Sequence, residues 1–223
     1  MEEQIRNLAG CAERIDEFRK RLGSLSWFMR FLNEFIARAA NKEDDVKGRF
    51  WESRFKCQVL LDNAAIAGGM VYIDLNPIRA GIAQSPEESD FTGIQQRIRI
   101  WKQKTSLPDR AFLCSSWLCP IASEGNKLGI LPMSEEEYFD LVDKSGRLLH
   151  PDKRGVIDAG LTPILERIGA KPEAWPEIVS CFADKFPLAA GLVDSLRKFA
   201  DQLGKRWFAG MSASRCAFIP PKA

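Results

Sequence analysis

Apolar residues return every three or four positions along most of this chain, and this spacing limits its fold more than any other feature. The interval matches the period of an α-helix, about 3.6 residues, so each such segment predicts a helix with one apolar face. The clearest examples are residues 2–22, residues 24–40, where Phe28, Leu32 and Phe35 form part of the stripe, and residues 188–203. We therefore predict a mainly α fold.

Capping residues indicate where these helices begin and end. Gly23 closes the first, and Ser24 or Ser26 caps the second. Asp62 caps a third helix, which continues past Tyr72. Further helices are predicted from Asp90 or Thr92 to a point before Pro108, from Ser134 onwards, and over residues 162–168 and 175–183.

Basic and aromatic residues alternate over residues 47–56, which predicts a short β-hairpin within residues 49–61. Residues 105–155 are irregular and contain four prolines. We therefore divide the chain into a first region, residues 1–104, and a helical C-terminal extension, residues 105–223.

Tyr72 and Asn76 lie four residues apart in the helix that Asp62 begins, so they share one face. Pro77 disfavours further α-helix at Asn76 and therefore puts Asn76 at a helix end. A phenol beside an amide oxygen is the minimum equipment for moving a DNA phosphodiester onto protein with a divalent cation. The same pair also fits a core tyrosine and a capping asparagine.

Gly68 and Gly69 are adjacent inside the same predicted helix. Each interior glycine costs roughly 1 kcal/mol against alanine. The pair indicates either close backbone packing or a copy that is no longer under selection for activity.

Four segments, in a fixed order, resemble the REP-associated tyrosine transposases. They are residues 28–35 (FMRFLNEF), 47–56 (KGRFWESRFK), 72–81 (YIDLNPIRAG) and 85–91 (SPEESDF). The second is similar to the family's Gly-x-x-Trp-x-x-Arg-Phe-Lys element. The third matches its Tyr-Ile-x-x-Asn-Pro-x-Arg-Ala-Gly element. The resemblance covers about a third of the chain.

The resemblance implies a ferredoxin-like domain whose tyrosine attacks single-stranded, hairpin-forming DNA and forms a 5′-phosphotyrosyl link. It gives that catalytic role to Tyr72, and it gives Asn76 a share in binding an Mg²⁺ or Mn²⁺ cofactor. In the family, a His-hydrophobic-His pair on a central strand supplies the other metal ligands. Some members are dimers in which one subunit supplies the tyrosine and the other the histidines, so a homodimer is one possible state of this chain.

This sequence departs from the family at the metal site. Its only histidine is His150, downstream of Tyr72, and no His-x-His pair occurs. Asn76 offers one neutral oxygen, whereas Mg²⁺ prefers octahedral oxygen ligation anchored by carboxylates or phosphates. We therefore expect an N-terminally shortened α+β remnant that does not bind the metal or cleave DNA by itself. The alternatives are a non-catalytic remnant that holds structured single strands, and a structural partner that lends Tyr72 to a full-length copy.

Basic residues indicate where DNA would bind. The candidates are Arg49, Arg54, Lys56, Arg79, Arg97, Arg99, Lys102 and Lys104. The last four fall in one predicted helix together with Trp101. This pattern is typical either of a phosphate-tracking helix with a stacking aromatic, or of a solvated helix face with Trp101 turned inward. The net charge of +2 favours no partner class by itself.

The sequence shows no signal peptide and no apolar run of membrane-spanning length. Among the six cysteines, only Cys114 and Cys119 lie close together, without the second pair or the histidines of a zinc signature. We therefore expect a cytoplasmic protein without a membrane partner.

Overall fold

The computed structural model describes residues 10–106, 118–122, 129–149 and 160–219. Helices dominate these residues, which confirms the mainly α prediction. The chain forms two compact units, Met1–Cys57 and Gln58–Ala223. The boundary predicted after residue 104 falls inside the second unit, because helices from both sides of that position share one core there.

The first unit contains helices α1 (Ala12–Leu22) and α2 (Leu25–Glu43). Gly23 follows α1, and the Ser24 side chain caps α2 by accepting a hydrogen bond from the backbone N–H of Trp27. Both capping predictions are therefore confirmed. Residues 2–9 of the predicted first helix lie outside the described part of the chain.

The predicted β-hairpin is wrong. Residues 49–57 contain no strand, and the short sheet is instead parallel, between β1 (Val59–Leu60) and β2 (Ala189–Ala190). Trp51 is one of the aromatic residues whose alternation with basic residues suggested the strands. Its indole N–H instead donates a hydrogen bond to the carbonyl of Asn33 on α2. A pairing between segments so far apart leaves no local signal in the sequence.

Helices and two short 3₁₀ turns account for most of the described residues of the second unit. Its helices are α3 (Asn63–Asp74), α4 (Asn76–Arg79), α5 (Gly93–Ser106), α6 (Glu135–Leu148), α7 (Thr162–Ile168), α8 (Trp175–Lys185), α9 (Val193–Gln202) and α10 (Met211–Ala217), and its 3₁₀ turns are Pro86–Glu88 and Pro172–Ala174. The sequence predicted all of these helices except α4, which continues the Tyr72 helix after a one-residue break, and α10. None of the helices in the described ranges is both long enough and apolar enough to cross a membrane.

Helix α3 lies in the middle of the core and packs closely against α8. A Cβ atom added to Gly68 would lie 3.1 Å from atoms of both Ile178 and Phe182. One added to Gly69 would lie 3.2 Å from Leu60 and 3.4 Å from Phe182. These distances are at or below ordinary van der Waals contact, so the two glycines are explained by close packing of the backbone.

We expect Gly68→Val to lower the free energy of unfolding by about 1–3 kcal/mol, because the added side chain forces apart two packed helices. Urea denaturation measures the change. Gly93→Val is the matched control, since the nearest atom to a Cβ at Gly93 is 3.9 Å away. Equal stability of the two variants would contradict the packing role of Gly68.

Candidate functional site

Tyr72 lies in the last turn of α3, half-buried, where α8 and α4 both reach it. Its ring centroid is 6.1 Å from that of Phe182 on α8. The guanidinium carbon of Arg79, on α4, lies 4.7 Å from the Tyr72 ring centroid, within cation–π range. Arg79 also donates from Nη1 to the carbonyl of Val179, at 3.3 Å, so α8 holds both members of the pair.

Asn76 is exposed and is the first residue of α4. Helix α3 ends at Asp74, Leu75 separates the two helices, and Pro77 occupies the first turn of α4. The helix that carries Tyr72 therefore ends close to Asn76, as predicted, but Asn76 is itself helical and begins α4 instead of closing α3.

The exposed groups next to Tyr72 suit an anion. Arg79 is exposed, and its planar guanidinium matches the oxygens of a phosphate. The Asn76 amide can donate two further hydrogen bonds. The arrangement can therefore bind an anionic oxygen beside a phenol.

The same groups do not fit a divalent metal. Asn76 offers one neutral oxygen, and its neighbour Arg79 is a cation that repels another. Across the described ranges, no group of three or more His, Cys, Asp or Glu side chains is placed to hold a metal ion. His150 lies outside those ranges.

Asp74, two residues after Tyr72, points into the core instead. It is only 8 % exposed and accepts a hydrogen bond of 2.5 Å from the hydroxyl of Tyr138 on α6. Burial raises the pKa of Asp74 to about 6, although the Tyr138 hydrogen bond and the charge of Arg97 act in the opposite direction. Burial and the nearby Asp74 raise the pKa of Tyr138 well above its usual value. Tyr138 is fully buried and belongs to the core.

The predicted DNA-binding residues of α5 differ in how exposed they are. Arg97 is 7 % exposed, with its charge acting on Asp74 and Tyr138, so it is not an exposed cation of the helix surface. Arg99 and Lys102 are exposed, and their charged groups lie 3.8 and 3.9 Å from carboxylates of Asp90 and Glu87. The side chain of Lys104 is outside the described part.

The apolar residues of α5 fit the second interpretation of this helix, in which Trp101 turns toward the protein interior. Ile94 and Ile98 are buried. Trp101 is half-buried, and its indole N–H donates to a Glu136 carboxylate oxygen at 2.9 Å, with the Phe139 ring 6.0 Å away. Arg97 follows Ile94 by three residues and precedes Trp101 by four, so the helical period alone could have indicated that Arg97 points inward.

Three predicted DNA-binding residues, Arg49, Arg54 and Lys56, lie in the first unit and are exposed. Arg49 donates from Nε to the carbonyl of Trp51 at 2.9 Å. Phe182 and Val179 were not predicted as neighbours of the Tyr72 site, because they lie about a hundred residues further along the chain.

Comparison with family models, with curated proteins and with solved structures finds no match for this chain. The likeness to the tyrosine transposases therefore stays a prediction, based on the four segments between residues 28 and 91.

Asp74 should make stability depend on pH. Because its pKa is about 6 in the folded protein and near 3.8 otherwise, the folded state binds this proton more tightly than the unfolded state does. The resulting stabilisation is complete below pH 3.8 and is lost as pH rises through 6, a change of about 3 kcal/mol.

Urea denaturation of the wild type and of Asp74→Asn, from pH 4 to pH 7, measures this contribution. We expect the difference in unfolding free energy between the two proteins to shift against the wild type by about 2 kcal/mol over that range, which covers most of the full change. Carboxyl groups such as Glu137, whose pKa is lowered by the Arg167 hydrogen bond, titrate in both proteins and cancel. A difference that does not vary with pH would contradict the raised pKa.

Proposed function

We propose that this protein is of the tyrosine-transposase type, with a first region of ferredoxin-like ancestry, and that its Tyr72 site binds single-stranded, hairpin-forming DNA in the cytoplasm. We further propose that this chain does not cleave the DNA by itself. The observation that supports the proposal best is the exposed Arg79 guanidinium, 4.7 Å from the ring centroid of Tyr72.

A DNA phosphate is the natural anion for this pair. Phosphate contacts supply most of the non-specific affinity of DNA-binding proteins, and arginine makes them with two parallel hydrogen bonds. A phosphate bound by Arg79 would lie next to the phenol, which is where a tyrosine nucleophile needs it. The exposed amide of Asn76 could take a further phosphate oxygen.

The groups around Tyr72 do not supply the rest of a cleavage reaction. A phenol near neutral pH must pass its proton to a base when it attacks, and a metal normally polarises the phosphate. The described contacts of the Tyr72 ring are with a phenyl ring and a guanidinium, and neither accepts a proton. The donor set beside it does not suit Mg²⁺ or Mn²⁺, so binding without cleavage is the function that this geometry supports best.

Replacing Arg79 should weaken DNA binding. We expect Arg79→Ala to lower the affinity for a hairpin-tipped single strand about tenfold at low salt, because one charge-assisted contact is lost. The slope of log affinity against log salt should become shallower by about 0.7 for each lost phosphate contact. Fluorescence anisotropy over a salt series measures both.

Arg197→Ala is the control for that measurement, because Arg197 is also exposed and is paired with Asp194, 3.2 Å away on α9, instead of with Tyr72. Far-UV circular dichroism of both variants checks that they are folded. Wild-type affinity in Arg79→Ala would remove Arg79 from the DNA-binding surface.

Incubation with a labelled hairpin-tipped strand and Mg²⁺ or Mn²⁺ should give no covalent protein–DNA adduct on a denaturing gel. The reason is that no proton acceptor or metal site completes the Tyr72 site in the described residues. An adduct that forms with the wild type and disappears in Tyr72→Phe would show that the chain is catalytically competent and would overturn this part of the proposal.

A further inference from the structure

Helix α2 presents an exposed apolar face. Six of its large apolar side chains are between 36 % and 74 % exposed, and they are Leu25, Phe28, Phe31, Leu32, Phe35 and Ile36. None of the described residues of the first unit, residues 10–57, is buried. An apolar surface of this extent on a soluble protein marks an interaction site.

The spacing of this face is suited to another helix. Leu25, Phe28, Leu32, Phe35 and Ala39 follow one another at alternating intervals of three and four, which is the heptad seam of a coiled coil. Side chains at such positions insert between those of a facing helix.

A DNA strand suits the face less well. Single-stranded DNA needs cations beside the rings on which its bases stack. Arg30 lies about 160° around the helix from Leu32, on the far side from the seam. Arg38 is already paired with Glu34. The aliphatic residues within the seam offer a base no ring to stack on.

The apolar positions of α2 are also arranged symmetrically on the two sides of Leu32. Counting outward from Leu32, the apolar positions match in pairs: Leu25 with Ala39, Phe28 with Ile36, and Met29 with Phe35. Two copies of α2 that run antiparallel would therefore place the two members of each of these three pairs opposite one another, with Leu32 at the twofold axis. A symmetric dimer requires a self-complementary patch of this kind.

The area is sufficient for a stable pair. A buried phenylalanine removes about 150–250 Å² from water, so three partly exposed phenylalanines and three aliphatic residues could bury on the order of 700 Å² per copy. That gives roughly 1,400 Å² for the pair, within the range of specific interfaces, about 1,200–2,000 Å².

We propose that this face binds a second copy of the same chain, with the two α2 helices antiparallel about Leu32. Within one copy, α1 and α2 are joined by the guanidinium of Arg21, 4.5 Å from the ring centroid of Trp27. Two such hairpins would together form a four-helix bundle with the core that one hairpin lacks. This proposal does not rest on DNA binding.

Sedimentation velocity of the full chain, without DNA and at micromolar concentration, tests the proposal. We expect the wild type to have the mass of two chains and Phe35→Glu to dissociate at least tenfold more readily, because a buried carboxylate replaces a central apolar contact. Ile73→Glu is the matched control and should remain dimeric, since Ile73 is also an exposed apolar residue on a helix, α3, at 64 %.

Cross-linking tests the twofold axis and does not depend on the glutamate variants being folded. A short bismaleimide should join two chains of Leu32→Cys through position 32, as identified by peptide mass spectrometry. Glu34→Cys, on the opposite side of α2, should not cross-link at position 34. A monomeric wild type, a dimer that Phe35→Glu leaves intact, or the absence of a position-32 link would each overturn the proposal.

Discussion

The contact between α3 and the Phe182 ring of α8 determines where the candidate site lies. The same ring packs against the backbone at Gly68 and Gly69 and then against the ring of Tyr72. One turn earlier on α8, the carbonyl of Val179 accepts a hydrogen bond from Arg79. Because tightly packed interiors resist displacement, one glycine-lined interface fixes the phenol and the guanidinium together.

Helix α3 carries polar side chains on two opposite sides, and the two sides differ in burial. Tyr72 is half-buried beside an exposed cation, whereas Asp74, about 200° further around the helix, is buried against Tyr138 and Arg97. A buried carboxylate is tolerated because a hydroxyl donates to it and a cation lies near. The Asp74 side joins α3 to α5 and α6, whereas the Tyr72 side is partly exposed and is the side that we propose binds DNA.

Local rules predicted much of this fold. The caps at Ser24, Asp62 and Ser134 begin helices where the sequence indicated, and Ser134 forms a full capping box with Glu137. What could not be predicted depends on distant partners. The strand pairing, the stacking of Arg79 on Tyr72 and the Asp74–Tyr138 bond join residues between 7 and about 130 positions apart, and their pairing depends on how the helices pack.

The proposed function requires DNA to bind where Arg79 contacts the Tyr72 ring. The chain has two tyrosines, Tyr72 and Tyr138, so ring-labelled tyrosine gives one NMR signal from the candidate site and one from the core. Titration with a hairpin-tipped single strand should shift the Tyr72 signal in proportion to occupancy and leave the Tyr138 signal in place. If DNA binds saturably but the Tyr72 signal does not move, then DNA does not bind beside Tyr72.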